Sequence, residues 1–187
     1  VRIVGGARRG LRLAEVGAGD AAAHLRPTAD RVREAIFNLL TNGRGGDVVR
    51  GARVLDLFAG TGALGLEALS RGAAEAVLVD DGRVAQGIIR RNIALMGAGV
   101  PATLMARDAT ALGVNPGLGF GLVFLDPPYG KGLGERALIS ARDGGWVAPG
   151  AVVVWEESAA VTVPEGFAIR DRRTYGGTVV TLVECAI

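Results

Sequence analysis

Cysteine is almost missing: Cys185 stands alone among 187 residues, which excludes an intramolecular disulfide and offers no zinc cluster. It reads as a small apolar strand residue. Histidine is equally scarce. His24, the sole one, lies in a glycine-rich stretch with no nearby acid and reads as an ordinary loop residue. No apolar run is long enough to span a bilayer and the amino end lacks the apolar core of a signal peptide, so a soluble, cytoplasmic protein is expected. No internal repeat or low-complexity tract stands out. Lysine is reduced to Lys131 against 20 arginines, a bias of the kind expected from a G+C-rich genome and a warning against reading every arginine as a ligand.

The net charge is only +2, but residues 1–33 carry seven arginines against Glu15, Asp20 and Asp30. A basic amino end on a near-neutral body fits an arm for a polyanion. Within it, residues 2–14 form two β-prone pieces around a turn from Gly5-Gly6 to Gly10, a hairpin bearing Arg2, Arg8, Arg9 and Arg12 and no acid. Lacking aromatics for stacking, such a hairpin attracts a phosphate backbone without reading bases. Residues 15–25 read as a connector. The predicted division is therefore a basic hairpin and connector over 1–25 and one larger domain over 26–187. Pro27-Thr28 opens a helix in which Thr28 is expected to cap the free N–H groups. Its apolar stripe is Val32, Ala35, Ile36, Leu39 and Leu40, which leaves Arg31, Arg33 and Glu34 off the stripe and Arg33 in solvent.

From Arg53 onward, strands and helices alternate, the mark of a doubly wound parallel sheet. Strands are predicted over 53–58, 75–80, 102–108, 122–126 and 151–156, with helices near 62–71, 83–97 and 133–144. The tail differs: 167–175 and 178–186 read as two strands joined by Gly176-Gly177, an antiparallel hairpin that closes the sheet.

The chain's chemistry centres on Leu122-Val123-Phe124-Leu125-Asp126-Pro127-Pro128-Tyr129. The apolar run reads as a buried strand, and the two prolines end it. Asp126 and Tyr129 are thus held at a strand's carboxyl end, with the Pro127 carbonyl beside them. An acceptor carboxylate, an acceptor carbonyl and an aromatic face suit a planar ring bearing an exocyclic amine. Ligands of doubly wound sheets bind outside the carboxyl ends of the strands, and Asp56, Asp80, Asp108 and Asp126 all lie at or near such ends. Gly60-Thr61-Gly62-Ala63-Leu64-Gly65 also spells G-x-G-x-x-G, which alone would permit a nicotinamide dehydrogenase. Asp56 argues against that, because it places a carboxylate beside the loop that would cradle a pyrophosphate. For S-adenosylmethionine, which carries a sulfonium and an ammonium and no phosphate, the sign is right.

Asp-Pro-Pro-Tyr after the loop Asp56-Leu57-Phe58-Ala59-Gly60-Thr61-Gly62 resembles the amino-methyltransferase branch of the class I S-adenosylmethionine-dependent methyltransferases. With Arg26-Pro27-Thr28-Ala29-Asp30-Arg31-Val32-Arg33-Glu34, the short length and the late Tyr175-Gly176, the chain resembles the RsmD family of bacterial small-subunit rRNA guanine-N2 methyltransferases. The resemblance implies a Rossmann-like, mostly parallel seven-stranded sheet with an antiparallel carboxyl-terminal hairpin, plus a small amino-terminal β-hairpin. It implies S-adenosylmethionine held by Asp56, Phe58, Gly60, Gly62, Asp80, Asp108 and Asp126. Asp80 would take the ribose hydroxyls, with Asp81 as an adjacent competitor, and Asp108 the adenine amine. The catalytic set would be Asp126, Pro127 and Tyr129, and RNA would meet Arg2, Arg8, Arg9, Arg12, Arg26, Thr28 and Tyr129. No metal is required. The implied partner is small-subunit rRNA within an assembling or assembled 30S particle, met by a monomer without a membrane. A DNA or protein amine methyltransferase could use the same turn, but no extra target-recognition domain is evident. A non-catalytic RNA-binding protein of this fold would leave the Asp126–Tyr129 turn unexplained.

Overall fold

The computed structural model describes residues 1–17 and 28–187 and contains one seven-stranded sheet. Its strands are β1 (Arg53–Leu57), β2 (Glu75–Val79), β3 (Ala102–Met105), β4 (Phe120–Leu125), β5 (Val147–Glu157), β6 (Phe167–Tyr175) and β7 (Thr178–Cys185). They lie in the order β3-β2-β1-β4-β5-β7-β6. The first five run parallel, and β7 inserts antiparallel between β5 and β6. This is the mostly parallel α/β sheet with an antiparallel closing hairpin that the resemblance implies. The helices are α1 (Asp30–Asn42), α2 (Ala63–Ser70), α3 (Arg83–Met96) and α4 (Leu133–Asp143).

Strand alternation divides the core between the two faces of the sheet. Val54, Leu122, Phe124, Val152 and Val154 point toward α1, α2 and α3, meeting Ile36, Phe37, Leu64, Leu66 and Ile89. Leu55, Leu57, Val123, Leu125, Val153 and Trp155 point the other way, onto Ala137, Leu138 and Ala141 of α4. Each such fully buried aliphatic side chain contributes about 1.5–3 kcal/mol. The same alternation puts Asp56, Asp126 and Glu156 on the α1–α2–α3 side, at the carboxyl ends of three neighbouring strands.

Three expectations change. Arg33 is 0% exposed, not solvated. The apolar stripe of α1 is Val32, Ile36, Phe37 and Leu40, so Arg33 stands at the i position before i+3, i+4 and i+7 neighbours and is drawn inside. Its guanidinium donates to Glu67 (3.4 Å), Asp30 (2.9 Å), the Thr28 carbonyl (3.1 Å) and the Arg2 carbonyl. Thr28 does not cap α1: Ala29 occupies the N-cap without a side-chain bond, and the Thr28 hydroxyl donates instead to the Glu156 carboxylate at 3.1 Å. The amino-terminal pieces do pair as a hairpin, through the Arg2–Arg12 bridge and backbone bonds from Ile3 N–H to the Leu11 carbonyl (2.9 Å), Leu13 N–H to the Val1 carbonyl (3.0 Å) and Gly10 N–H to the Ile3 carbonyl (2.8 Å), around a 3-10 turn, Gly6–Arg8. At its turn the Val4 and Gly5 N–H groups donate to Glu67 at 2.9 and 2.8 Å, which ties the hairpin to α2. Gly6, at φ +76°, presses so closely on the Ser70 carbonyl that a Cβ would lie 1.9 Å from it. Finally, β3 stops at Met105 and not at 108. Asp108 instead caps a 3-10 turn, accepting the Thr110 N–H and hydroxyl, each at 2.8 Å.

Candidate active site

The loop after β1 is shaped by its backbone. Phe58 has φ +59° and is the one non-glycine residue in the left-handed region among the described residues, a conformation costing about 1–3 kcal/mol and typical of ligand sites. Gly60 (φ +59°) and Gly62 (φ +79°) adopt it freely, and Gly62 is the N-cap of α2. Gly65 serves another purpose. A Cβ there would lie 2.3 Å from Leu78, so only glycine lets α2 approach the sheet closely enough for its N–H to donate to Asp56 at 2.9 Å.

Asp80, just past β2, accepts the Gly60 N–H on one oxygen and the Gly82 N–H on the other, both at 2.9 Å. It therefore faces the glycine loop while Asp81 is exposed. Asp108 is also exposed, and Arg107 donates to the Leu112 carbonyl and not to it. The Asp126 N–H extends the ladder to the Leu57 carbonyl at 3.4 Å, which keeps Asp126 beside β1. Pro127 is buried and Pro128 exposed. Tyr129 is 40% exposed, and its hydroxyl is hydrogen-bonded to that of Thr178, at the start of β7, at 3.3 Å. The side chain is thus partly open to solvent and anchored at its hydroxyl to β7.

Electrostatics unify the cluster. Burial pushes Asp56 up to about 7, and the charges of Asp80 and Glu156 add to the shift while the Gly65 N–H opposes it. Glu156, 2% exposed, is likewise pushed by burial to about 7, against the Thr28 hydroxyl and the Arg33 charge. Asp126 rises well above the carboxylate range through burial and the charges of Glu156, Asp56 and Glu157. Asp80 is raised by burial as well. None of these four carboxylates has an ion-pair partner among the described residues. Such a cluster favours a cation and N–H donors and disfavours a pyrophosphate.

Glu156 is the site group that the sequence reading passed over. A signal existed: it ends the strand next to β4 and is one residue out of register from the buried Trp155, so it shares a face with Asp126. The arm's arginines are not gathered at the site. Arg2 pairs with Asp30 of α1 at 3.1 Å. The Arg8 N–H donates to Ser70 at the far end of α2, and Arg9 and Arg12 are exposed. Arg26 and His24 lie outside the described residues.

A family model described as conserved hypothetical protein 95 matches residues 1–184. Ribosomal RNA small subunit methyltransferase D of Escherichia coli (strain K12) is 37% identical over 179 residues, covering 94% of this chain and 85% of that protein. YlbH of Bacillus subtilis (strain 168) is 32% identical over 188 residues, covering 97% of each. Among solved structures, the yhhF protein of Escherichia coli superposes with a TM-score of 0.82 at 36% identity, over 99% of this chain and 97% of that one.

Proposed function

The chain belongs to the RsmD family, described as conserved hypothetical protein 95, and on that premise we propose that it transfers a methyl group from S-adenosylmethionine to the exocyclic N2 of a guanine in small-subunit rRNA. The observation that carries the reading is the carboxylate cluster at the ends of β1, β4 and β5, with Asp56 and Glu156 buried, Asp126 half-buried and none ion-paired among the described residues, beside the Pro127-Pro128 turn and the exposed Tyr129.

The residues present fit the methyl donor. The open left-handed loop at Gly60 has room, since a Cβ there would meet nothing within 4 Å, and the surrounding carboxylates have no ion-pair partner among the described residues. Asp56, Phe58, Gly60 and Gly62 would hold the methionine end, Asp80 the ribose hydroxyls and Asp108 the adenine amine. Bound S-adenosylmethionine supplies an electrophilic methyl group on a sulfonium that leaves as a neutral thioether. Asp126 and the Pro127 carbonyl accept the two hydrogens of the guanine N2 amine and turn its lone pair, otherwise delocalised into the ring, toward the methyl carbon. Tyr129 stacks on the unstacked base and fixes its plane. Transfer makes the nitrogen cationic, and the proton it then sheds passes to Asp126 or to water. Orientation in a dry, negatively charged pocket is the main contribution of the protein.

Small subunits from cells lacking this enzyme, incubated with the purified protein and radiolabelled S-adenosylmethionine, should yield labelled N2-methylguanosine on mass-spectrometric mapping. Asp126→Ala should abolish the label while cofactor binding is largely retained. Label in a different nucleoside would overturn the assignment of the base, and near-normal turnover by the variant would overturn the role of Asp126.

A further inference from the structure

Two segments of the chain contain no acid at all, residues 1–14 and residues 82–107, and together they hold eight arginines. The fold packs them against each other. The buried Asn92 of α3 accepts the Ala14 N–H at 2.6 Å and donates to the Ala14 carbonyl at 3.1 Å, so the arm is tied to that helix. The buried face of α3 is Ala85, Ile89, Asn92 and Met96. On the opposite side, Arg83, Arg90 and Gly97 succeed one another at seven-residue steps, which keeps them within about 20° of one line and about 10 Å apart. At Gly97 the guanidinium of Arg8 supplies the missing charge, since one of its nitrogens lies 3.0 Å from where a Cβ would stand. Gly87 and Ala94, small and exposed, fall between, and a Cβ at Gly87 would meet nothing within 4 Å.

The result is a row of three exposed guanidinium groups with low ground between them, none of them ion-paired among the described residues. One end begins three residues past Asp80, at the carboxyl edge of the sheet; the other reaches Ser70, at the amino edge. A partner matched to this row is a strand with repeated anions that begins near the proposed base pocket. Guanidinium and phosphate form two-pronged, charge-assisted hydrogen bonds, and small residues between the arginines let a sugar-phosphate backbone come close.

We propose that the outer ridge of α3, completed by Arg8 of the arm, is a phosphate-binding surface along which the rRNA strand runs away from the methylated base; the inference rests on the rRNA reading above. The test is filter binding of wild type and variants to small subunits from cells lacking the enzyme, across a series of salt concentrations. Each phosphate contact in a single strand contributes about 0.7 to the slope of log affinity against log salt. R83Q/R90Q should therefore lower the slope by about 1.4 and weaken binding at least tenfold near 0.15 M salt, and R8Q should lower it by about 0.7. S-adenosylmethionine affinity by titration calorimetry should not move. R44Q, which removes an exposed arginine from the loop after α1, should leave the slope unchanged. Unchanged slopes for R83Q/R90Q with normal wild-type binding overturn the surface alone. A wild-type protein with no affinity for small subunits overturns the rRNA reading and the surface together. Loss confined to anionic phospholipid vesicles, with subunit binding intact, overturns the inference in favour of a membrane.

Discussion

Cofactor binding should release protons, and the number can be worked from the buried carboxylates. With Asp56 and Glu156 each pushed up to about 7, each is about half protonated at pH 7 before a ligand arrives. A unit positive charge about 6 Å away, at an effective dielectric constant of about 20, interacts with each by about 2.8 kcal/mol, or about two pKa units downward. Both groups would then be almost fully ionised, and roughly one proton should leave per S-adenosylmethionine bound at pH 7. S-adenosylhomocysteine lacks the sulfonium and has no net charge, so it should release few. Titration calorimetry at pH 7 in buffers of differing ionisation enthalpy measures the count directly from the slope of observed enthalpy. Asp56→Asn should reduce it by about half. A slope of zero for S-adenosylmethionine, or equal slopes for the two ligands, would refute the claim that this cluster awaits a cation.

The same groups set a pH dependence of stability. Their folded pKa values lie above the ordinary carboxylate values of 3.8 and 4.5, so the native state binds protons more tightly, and the stability this contributes is lost as pH rises toward about 7. The ligand-free protein should therefore melt at progressively lower temperature from about pH 5 to about pH 7.5, and a Tm that climbs over that range would contradict the burial argument. Arg33→Ala leaves Glu67 buried beside a vacated site and should cost about 3–5 kcal/mol in urea unfolding, with Arg33→Met milder because it leaves no gap. Gly65→Ala forces a methyl group to 2.3 Å from Leu78 and should cost about 1–3 kcal/mol while weakening cofactor binding, which calorimetry and thermal melts would register together.

Most of the fold was legible because each βα unit announces itself by period and punctuation. The glycine pair at 176–177 marked the closing hairpin, and the strands at 75–79 and 120–125 were bounded by glycine, proline and acid. Asp56, Asp80 and Asp126 were legible as strand-end acids for the same reason. What escaped depended on contacts between distant segments. A helical wheel offers two stripes for α1, one rotated from the other by a residue, and only the presence of Glu67 on another helix makes the stripe containing Arg33 the buried one. Thr28 had every local property of a cap, yet its hydroxyl found the carboxylate of Glu156, 128 residues away. Glu156 itself looked like a strand terminus of no consequence until β5 was set beside β4.

Glu67 collects donors from three stretches of sequence: the backbone of Val4 and Gly5, the side chain of Arg33, and that of Arg71. The opening residues are thereby wired into the scaffold and cannot be treated as a detachable module. A chimera that borrows this arm from a relative should stay folded only if positions 33, 67 and 71 travel with it, so grafting experiments on RNA selectivity need to transplant the junction and not just the tip.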